Sequence, residues 1–440
     1  MRFLRRLPAG PADGGDPPRR QEAPGNALRI RNVRLYLAGQ SLSNIGTFFQ
    51  IVALSLLVLR LTGSGFALGA TLSLGAVPFL TLGPWAGVVI DRVHIRLLLA
   101  FTSTLACLQA LTLGILISTE HINLAWILLL TLLIGCVQIF DRPAGQAFLN
   151  ELAPRERLPS AIALGSAAQS VGRLGGPAIA AVVYASLGAA WCFYVNAASY
   201  LAVVLALALL RRAEMISRQP RPHAKGQFRE GLRFVWRSSL HRSVLLSNAV
   251  IGCFAFNFPL FYSSLVIKDF HAGSLAFGIA ESLNAITAVL CGLLLTRSLR
   301  VPSRRGFALA CCALGLSLAW SAASPTLGLF FAGMLYFGVA VVYYSTVSQS
   351  LIQQHTPPEL IGRVMSFYTL GIMGTTPIGG LIAGWIIDAY DPRAALALGA
   401  ASLFACGAAA AILVHGSPTA DMIAQDRAAS LHSPPGTRTD

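Results

Sequence analysis

Twelve long apolar runs constrain what this chain of 440 residues folds into. They lie at 35–60, 66–90, 97–118, 124–149, 160–186, 190–210, 243–267, 274–296, 306–323, 326–351, 364–388 and 394–414. Each run approaches or exceeds the roughly 20 apolar residues that a helix needs to cross a bilayer. Since hydrocarbon offers no partners for backbone N–H and C=O groups, runs of this length predict helices. The sequence therefore predicts an all-α membrane protein with 12 transmembrane helices.

The charged fraction of the chain excludes a soluble fold. Charged residues make up 12% of the sequence, whereas soluble domains carry about 25%. All eight cysteines fall inside the apolar runs, and none has the spacing of metal ligands or of a disulfide framework. We interpret them as small packing residues and expect no metal site.

The basic residues indicate how the spans are oriented. With an even number of spans both termini lie on one side, and 28 of the 33 Lys and Arg residues fall there. Arg60, Lys268 and Arg393 fall on the other side, while Arg142 and Arg173 lie within spans. Because Lys and Arg are retained in the cytoplasm, both termini are predicted to be cytoplasmic. The net charge of +15 then reflects topology and attraction to anionic lipid, so we expect no nucleic-acid partner.

A long polar linker at 211–242 divides the spans into two sets of six, at 34–210 and 243–414. Its second part, GQFREGLRFVWRSS, mixes arginines with aromatic and aliphatic residues and predicts a short helix at the cytoplasmic interface. The tails at 1–33 and 415–440 are predicted to be disordered and cytoplasmic.

The two sets of spans resemble each other. NAASYLAVVLALALL from Asn196 and GAASLFACGAAAAIL from Gly399 match at an offset of 203 residues, and other weak matches keep the same order. The halves are therefore predicted to be six-helix pseudo-repeats, an arrangement known from secondary transporters.

A cluster of charge interrupts the apolar sequence between spans 2 and 3, in GPWAGVVIDRVHIR. Its signature residues are Gly87, Asp91, Arg92 and Arg96. The spacing resembles the loop pattern G-x-x-x-D-R-x-G-R-R/K of the major facilitator superfamily, although His94 and Ile95 replace its glycine and first basic residue. The resemblance implies a gating loop that latches the two halves on the cytoplasmic side, with Asp91 facing a helix N-terminus or an arginine. The alternative is that these charges only end the helices and set their orientation.

Span 5 carries a second pattern, GRLGGPAIAA, whose motif residues are Gly172, Gly176 and Pro177. It is similar to the G-x-x-x-G-P-x-x-G-G motif of drug exporters in the same superfamily, with Ala180 and Ala181 at the last two positions. Glycines at this spacing let helices pack closely and the proline loosens the helix, so plain helix packing is the alternative explanation. Longer strings such as FDRPAGQAFLNELAPRERLPSAIAL resemble the branch of the enterobactin exporter and the macrolide efflux proteins.

Three ionisable residues lie within spans, where charge is costly and usually functional. Glu281 lies in span 8, Arg173 near the middle of span 5, and Asp141 toward the cytoplasmic end of span 4. Burial favours the neutral form of a carboxyl group, so Glu281 is the first candidate to carry a coupling proton and Asp141 the second. Arg173 suits an anionic cargo. The alternatives are a structural role for Arg173 and an ion pair between Asp141 and Arg142.

These observations predict a secondary active transporter with the major facilitator fold. It is expected to export a siderophore-like small molecule across the bacterial inner membrane by alternating access and proton antiport, with multidrug or macrolide efflux as the alternative. A non-transporting receptor or scaffold on the same fold is another class, and a multi-pass membrane enzyme a third. The sequence has no nucleophile–base motif and no Walker-type phosphate loop, so we expect neither an enzyme nor a cofactor, only the proton gradient as energy source. The expected partners of a monomer are the small-molecule cargo and membrane lipid.

The asymmetry of 28 basic residues against three makes a direct prediction about topology. A reporter that is active only in the periplasm should be silent when fused after Gly416 and active when inserted after His121. Activity after Gly416 would mean an odd number of spans and would contradict this topology.

Overall fold

The computed structural model describes residues 27–154, 156–216, 227–298, 303–357 and 360–415, and every regular element in these ranges is helical. The first half contains α1 (Arg31–Thr62), α2 (Gly65–Arg92), α3 (Ile95–Ser118), α4 (Leu124–Leu152), α5 (Leu158–Leu187) and α6 (Ala189–Ala208). After a linker helix, α7 (Gln227–Arg237), the second half contains α8 (Ser239–Phe254), α9 (Phe258–Ser264), α10 (Ser274–Ser298), α11 (Arg304–Ala323), α12 (Leu327–Gln354), α13 (Ile361–Ala389) and α14 (Pro392–His415). Helices α8 and α9 form one span, so the 12 spans confirm the predicted fold class.

Several spans begin at a side chain that caps the helix. The capping residues are Ser64, Asn123, Ser238, Ser303 and Thr326, which precede α2, α4, α8, α11 and α12. In each case the side-chain oxygen accepts a hydrogen bond from the backbone N–H three residues later. The first N–H groups of a helix have no partner within it, so these short polar side chains fix where the spans begin.

The first bundle starts earlier than the predicted boundary at residue 34. Ala27 is fully buried, and its N–H donates to the Ser160 hydroxyl at 3.2 Å. The Asn32 amide donates to the Arg211 carbonyl oxygen at 3.0 Å and accepts from the Arg211 N–H at 3.1 Å. Residues 27–33 thus belong to the folded bundle because their polar groups find partners there. The remaining predicted tail residues, and 217–226 of the predicted linker, lie outside the described residues.

The two halves repeat the same packing. In the first half α1 packs on α5 and α6, α3 on α4 and α6, and α2 on α4. In the second half α8 packs on α13 and α14, α11 on α12 and α14, and α10 on α12. Between the halves, α2 packs on α13 and α5 on α10, and we call these contacts the α2/α13 seam and the α5/α10 seam. Every one of these contacts has its counterpart in the other half, as a six-helix repeat requires.

The seventh span is broken, which the continuous run 243–267 did not predict. Helix α8 ends where the Ile251 carbonyl oxygen accepts both the Ala255 N–H at 2.8 Å and the Phe256 N–H at 3.0 Å. Pro259 follows in the first turn of α9, where its missing N–H is tolerated. Continuing α8 through this proline would remove one of its hydrogen bonds, so the chain starts a new helix instead.

Small residues bring the two halves together at one side of the membrane. Both described termini lie on the same face of the bundle, since the described residues form twelve spans; we call this the terminal face and the opposite one the far face. Near the far face, a Cβ atom built on Gly384 would lie 2.6 Å from the Gly65 carbonyl oxygen. The Ser73 hydroxyl donates to the Pro377 carbonyl oxygen at 2.7 Å in the same seam. Helices approach this closely only where side chains are very small.

One carboxylate joins the halves at the far face. Asp388, near the end of α13, accepts a hydrogen bond from the Ser64 hydroxyl at 2.5 Å and from two backbone N–H groups of α2. These groups belong to Gly65, at 2.6 Å, and Phe66, at 2.8 Å. The Lys268 Nζ atom also donates to Asp388, at 2.7 Å. Because the positive end of the α2 dipole faces this carboxylate, one half of the protein caps a helix of the other. We call this contact the far-face latch.

Replacing Asp388 with Asn should open the far face. The substitution keeps the shape of the side chain but removes the charge that Lys268 and the α2 N-terminus attract. A lost charge-assisted hydrogen bond is worth about 1.5–3 kcal/mol, which shifts a two-state equilibrium about tenfold or more. Distances between spin labels attached through unnatural residues at positions 63 and 390 should lengthen in Asp388→Asn.

The matched control is Asp391→Asn, also at the far face. Asp391 accepts from the Ala394 N–H at 2.6 Å within its own half. This control should leave the distance distribution unchanged, and an unchanged distribution in Asp388→Asn would remove the latch from the mechanism.

Candidate transport site between the two halves

The α5/α10 seam holds two of the charged residues singled out in the sequence. Arg173 lies at the middle of α5 and is exposed, while Glu281 lies two turns into α10 and is partly buried. The two residues belong to opposite halves, and each lies about one turn along its helix from the contact between Gly278 of α10 and Pro177 of α5. Opposite charges on the two sides of a seam within the bundle change their surroundings when the halves separate.

The predicted exporter motif determines how α5 sits in this seam. Gly172 and Gly176 face α1, and a Cβ atom on Gly176 would lie 2.7 Å from the Phe48 Cβ. On the other side of α5, a Cβ atom on Gly278 of α10 would lie 3.0 Å from the Pro177 carbonyl oxygen. Small residues thus let α5 approach helices of both halves at once. The structure therefore supports the packing explanation of the motif and places the motif beside Arg173.

Exposed polar side chains line the terminal halves of four spans. They are Arg142 and Gln146 on α4, Gln169 on α5, Gln349 on α12, and Ser366 and Thr369 on α13. Polar side chains within a span normally face the bundle interior or a water-filled cavity. Such residues occur on both halves, toward the terminal face. The far-face latch joins the halves at the opposite face.

Asp141 lies apart from this seam, within the first half. It accepts a hydrogen bond from the Thr102 hydroxyl of α3 at 2.8 Å. The neighbouring Arg142 is exposed, and the ion pair between Asp141 and Arg142 stays a prediction. The structure thus places Arg173 and Glu281 on the two sides of one seam, and Asp141 of α4 against α3 within the first half.

The predicted gating loop lies at the terminal face, between α2 and α3. Gly87 and Asp91 belong to the last turns of α2, and their side chains lie outside the described residues; Arg92 is exposed. Arg96 donates to the carbonyl oxygens of Leu207 at 2.9 Å and Ala208 at 3.2 Å, which end α6 of the same half. Arg96 therefore stabilises the negative end of α6, a role that the sequence pattern did not indicate.

Asp388 and Lys268 are functional candidates that the sequence analysis missed. Lys268 counted there only as a far-side basic residue, and Asp388 only as the end of a span. The available signal was an isolated acid and an isolated base, each at the far end of an apolar run. Asp388 and Lys268 lie 120 positions apart in the sequence. The start of α2, which the latch joins to them, is more distant in sequence from both. Nothing in the sequence alone links these three elements.

Comparisons with known proteins agree with this architecture. A family model described as transmembrane secretion effector matches residues 24–437. Macrolide efflux protein A of Streptococcus pyogenes is 25% identical over 359 residues, which are 80% of this chain and 88% of that protein. The staphyloferrin A transporter of Staphylococcus aureus is 23% identical over 374 residues, which are 81% of this chain and 90% of that protein.

A solved structure supports the fold. The bacterial homologue of the human lysosomal transporter Spinster, crystallised in an inward-facing and unoccupied conformation, aligns with a TM-score of 0.66 at 13% identity. The alignment covers 89% of this chain and 96% of the homologue. Together with the family match over nearly the whole sequence, this confirms the predicted resemblance. The chain belongs to the transmembrane secretion effector family of the major facilitator superfamily and is a multi-pass membrane transporter.

Proposed function

We propose that this transporter is a proton-driven exporter of a siderophore-like small molecule. One observation carries the proposal: Glu281, an acid inside an apolar span, lies on one side of the α5/α10 seam, and Arg173 lies on the other. A titratable group at the contact between the halves lets proton binding influence which way the halves are arranged. Neither charge is needed for packing, since glycine, alanine and proline already bring α5 and α10 together.

The mechanism is alternating access. In the orientation that the basic residues favour, the terminal face is cytoplasmic, so cargo enters from the cell interior between the exposed polar side chains of the two halves. The far-face latch then breaks, the halves rock, and the cargo leaves on the periplasmic side of a bacterial inner membrane. The return step brings in a proton on Glu281. Asp141 is the second candidate for that proton, although its position inside the first half makes it a weaker one.

The cargo class is supported by relatives and by charge. One relative is named as a staphyloferrin A transporter, and Arg173 is a cation suited to an anionic, siderophore-like cargo. Macrolide efflux is the second candidate, because another relative of similar coverage is named for it. The protein is proposed to act as a monomer in membrane lipid, without a cofactor.

Two non-transport functions are less well supported. A receptor or scaffold on this fold has no need of a charge pair across a seam that must open. A membrane enzyme needs a nucleophile or metal site, and the described residues contain no cluster of His, Cys, Asp and Glu able to hold a metal.

Replacing Glu281 with Gln should uncouple transport. Glutamine mimics the protonated acid, so the halves should still rearrange but a pH gradient should no longer drive net movement. In inside-out vesicles with an imposed gradient, accumulation of staphyloferrin A or of a macrolide should fall to the level of wild type treated with an uncoupler. Exchange of labelled for unlabelled cargo across the membrane should continue.

The control is Glu120→Gln, the same chemical change at an exposed turn on the far face. This variant should accumulate cargo like wild type. Uncoupler-sensitive accumulation by Glu281→Gln would exclude Glu281 as the coupling acid. Accumulation of only staphyloferrin A or only the macrolide by wild type decides between the two candidate cargo classes.

A further inference from the structure

We propose that one side of the linker helix α7 is a binding surface for the headgroups of anionic phospholipids. The surface is formed by Arg233, Trp236 and Arg237, and we call it the α7 basic face. The two guanidinium groups hold lipid phosphates, and the indole ring lies between the headgroups and the acyl chains. This inference is independent of the cargo and of the coupling proton.

The side of α7 opposite this surface is occupied by the second half of the protein. Helix α7 packs on both α8 and α13. Val235 is 6% exposed and belongs to the same apolar core as Leu240 of α8 and Val364 of α13. The Phe234 ring meets the His241 ring edge-on, with 4.9 Å between their centroids. These contacts explain the apolar residues of α7 that face the bundle, but not the residues that face away from it.

A buried histidine fixes the angle at which α7 joins α8. His241 is 1% exposed, and its Nδ1 atom lies 2.6 Å from the Ser238 hydroxyl oxygen between the two helices. Its Nε2 atom lies 2.9 Å from the Thr356 hydroxyl oxygen, which follows α12. The Thr356 hydroxyl donates to the Ile352 carbonyl oxygen at 2.6 Å, so it accepts from His241 Nε2–H and leaves Nδ1 to accept from Ser238. Helix α7 is therefore held in a defined orientation against the second half.

The outward side of α7 combines charge with an aromatic ring. Arg233, Trp236 and Arg237 are spaced i, i+3 and i+4, which places them on one face of the helix. All three are exposed, and Trp236 is 57% exposed. Within the part of the chain that the structure describes, no acidic side chain forms an ion pair with Arg233 or Arg237. The α7 basic face thus has no partner among the described residues.

The position of this surface indicates what binds to it. The seventh span begins at Ser239, two residues after Arg237. Since a residue spans at most about 3.6 Å, the Arg237 backbone lies within about 7 Å of the start of the span. That distance is shorter than the Debye length of about 8 Å at physiological ionic strength, so the arginines feel the charge of the membrane surface.

The chemistry of the three side chains matches a phospholipid better than a soluble anion. A guanidinium group donates two parallel hydrogen bonds to a phosphate. An indole ring is most stable at the boundary between headgroups and acyl chains, whereas a small anion in water would leave the Trp236 ring exposed. Basic residues and tryptophan on one face of a short helix are typical of helices that lie in the interface of an anionic membrane.

Lipid binding at α7 also bears on a helix that takes part in opening. Helix α13 packs on α7 near the terminal face and carries Asp388 of the far-face latch at its other end. A lipid layer that holds α7 therefore holds the terminal ends of α8 and α13, which belong to the half that moves against the first.

The test is fluorescence quenching of the whole protein in vesicles of phosphatidylcholine and phosphatidylglycerol in equal amounts. Bromine is placed on the acyl chains of one lipid or of the other. The chain has six tryptophans, so the signal of Trp236 is the difference between wild type and Trp236→Phe. Brominated phosphatidylglycerol should quench Trp236 more than brominated phosphatidylcholine does, and added salt should weaken this preference. In Arg233→Gln/Arg237→Gln the relative binding constant for the anionic lipid should fall about five- to thirtyfold, as expected for one or two arginines at a charged surface.

The matched control is Arg29→Gln/Arg34→Gln, which removes the same charge from exposed positions on the terminal face of the first half. It should leave the quenching of Trp236 unchanged. Equal quenching of wild type by the two brominated lipids would overturn the inference, and so would a preference that survives in Arg233→Gln/Arg237→Gln. Quenching by neither lipid would leave the α7 basic face to water or to a cytoplasmic protein and would also overturn it. None of these outcomes affects the proposed transport function.

Discussion

The absence of water from the hydrocarbon core is the constraint on which this structure depends. Each backbone N–H and C=O group within it needs a partner inside the protein, and helices supply that partner in every span. The break between α8 and α9 is possible because side chains replace the lost backbone bonds. The Asn257 amide donates to the Cys253 carbonyl oxygen at 3.2 Å. The Thr376 hydroxyl of α13 donates to the Gly252 carbonyl oxygen at 3.2 Å. Irregular backbone at the membrane interior therefore occurs where a neighbouring helix covers it, next to the α2/α13 seam.

The duplicated halves share their packing but not their charges. Counted from the first residue of each helix, the counterpart of Glu281 on α2 is Leu72, and the counterpart of Asp388 on α5 is Ala185. One seam thus carries a latch at the membrane surface, and the other carries a charge pair within the bundle. Symmetric positions hold glycines and alanines that serve helix approach in both seams. The residues that break the symmetry are those for which helix packing gives no reason, and they are the strongest candidates for function.

The sequence predicts the spans and the repeat well, because both depend on local composition and order. Run length determines the helices, and capping residues such as Ser64 and Asn123 limit their ends. Contacts between the halves are not predictable in this way. Arg173 and Glu281 each stand out as charges in apolar runs, yet only the folded chain shows that they lie on the two sides of one seam. Asp388 gives an even weaker signal, since an acid at the end of a span is ordinary.

The chemistry of the far-face closure explains how such a gate can open at all. Glycines at the α2/α13 seam bring the backbones together while burying little apolar area, and buried apolar area is the main source of cohesion, at about 25 cal/mol per Å². The latch lies at the membrane surface, where water replaces the hydrogen bonds of Asp388 when the halves part. The net contribution of the latch to the free energy of the closed state is therefore small. The closed and open states of the far face then differ little in free energy. A ligand that binds one state more tightly than the other by a few kcal/mol is sufficient to change which state dominates. Under the proposed mechanism the proton is that ligand, because it acts on the counterpart seam. Ionised Glu281 and Arg173 attract each other in the closed state, so release of the proton to the cytoplasm at the end of the return step favours closure of the far face.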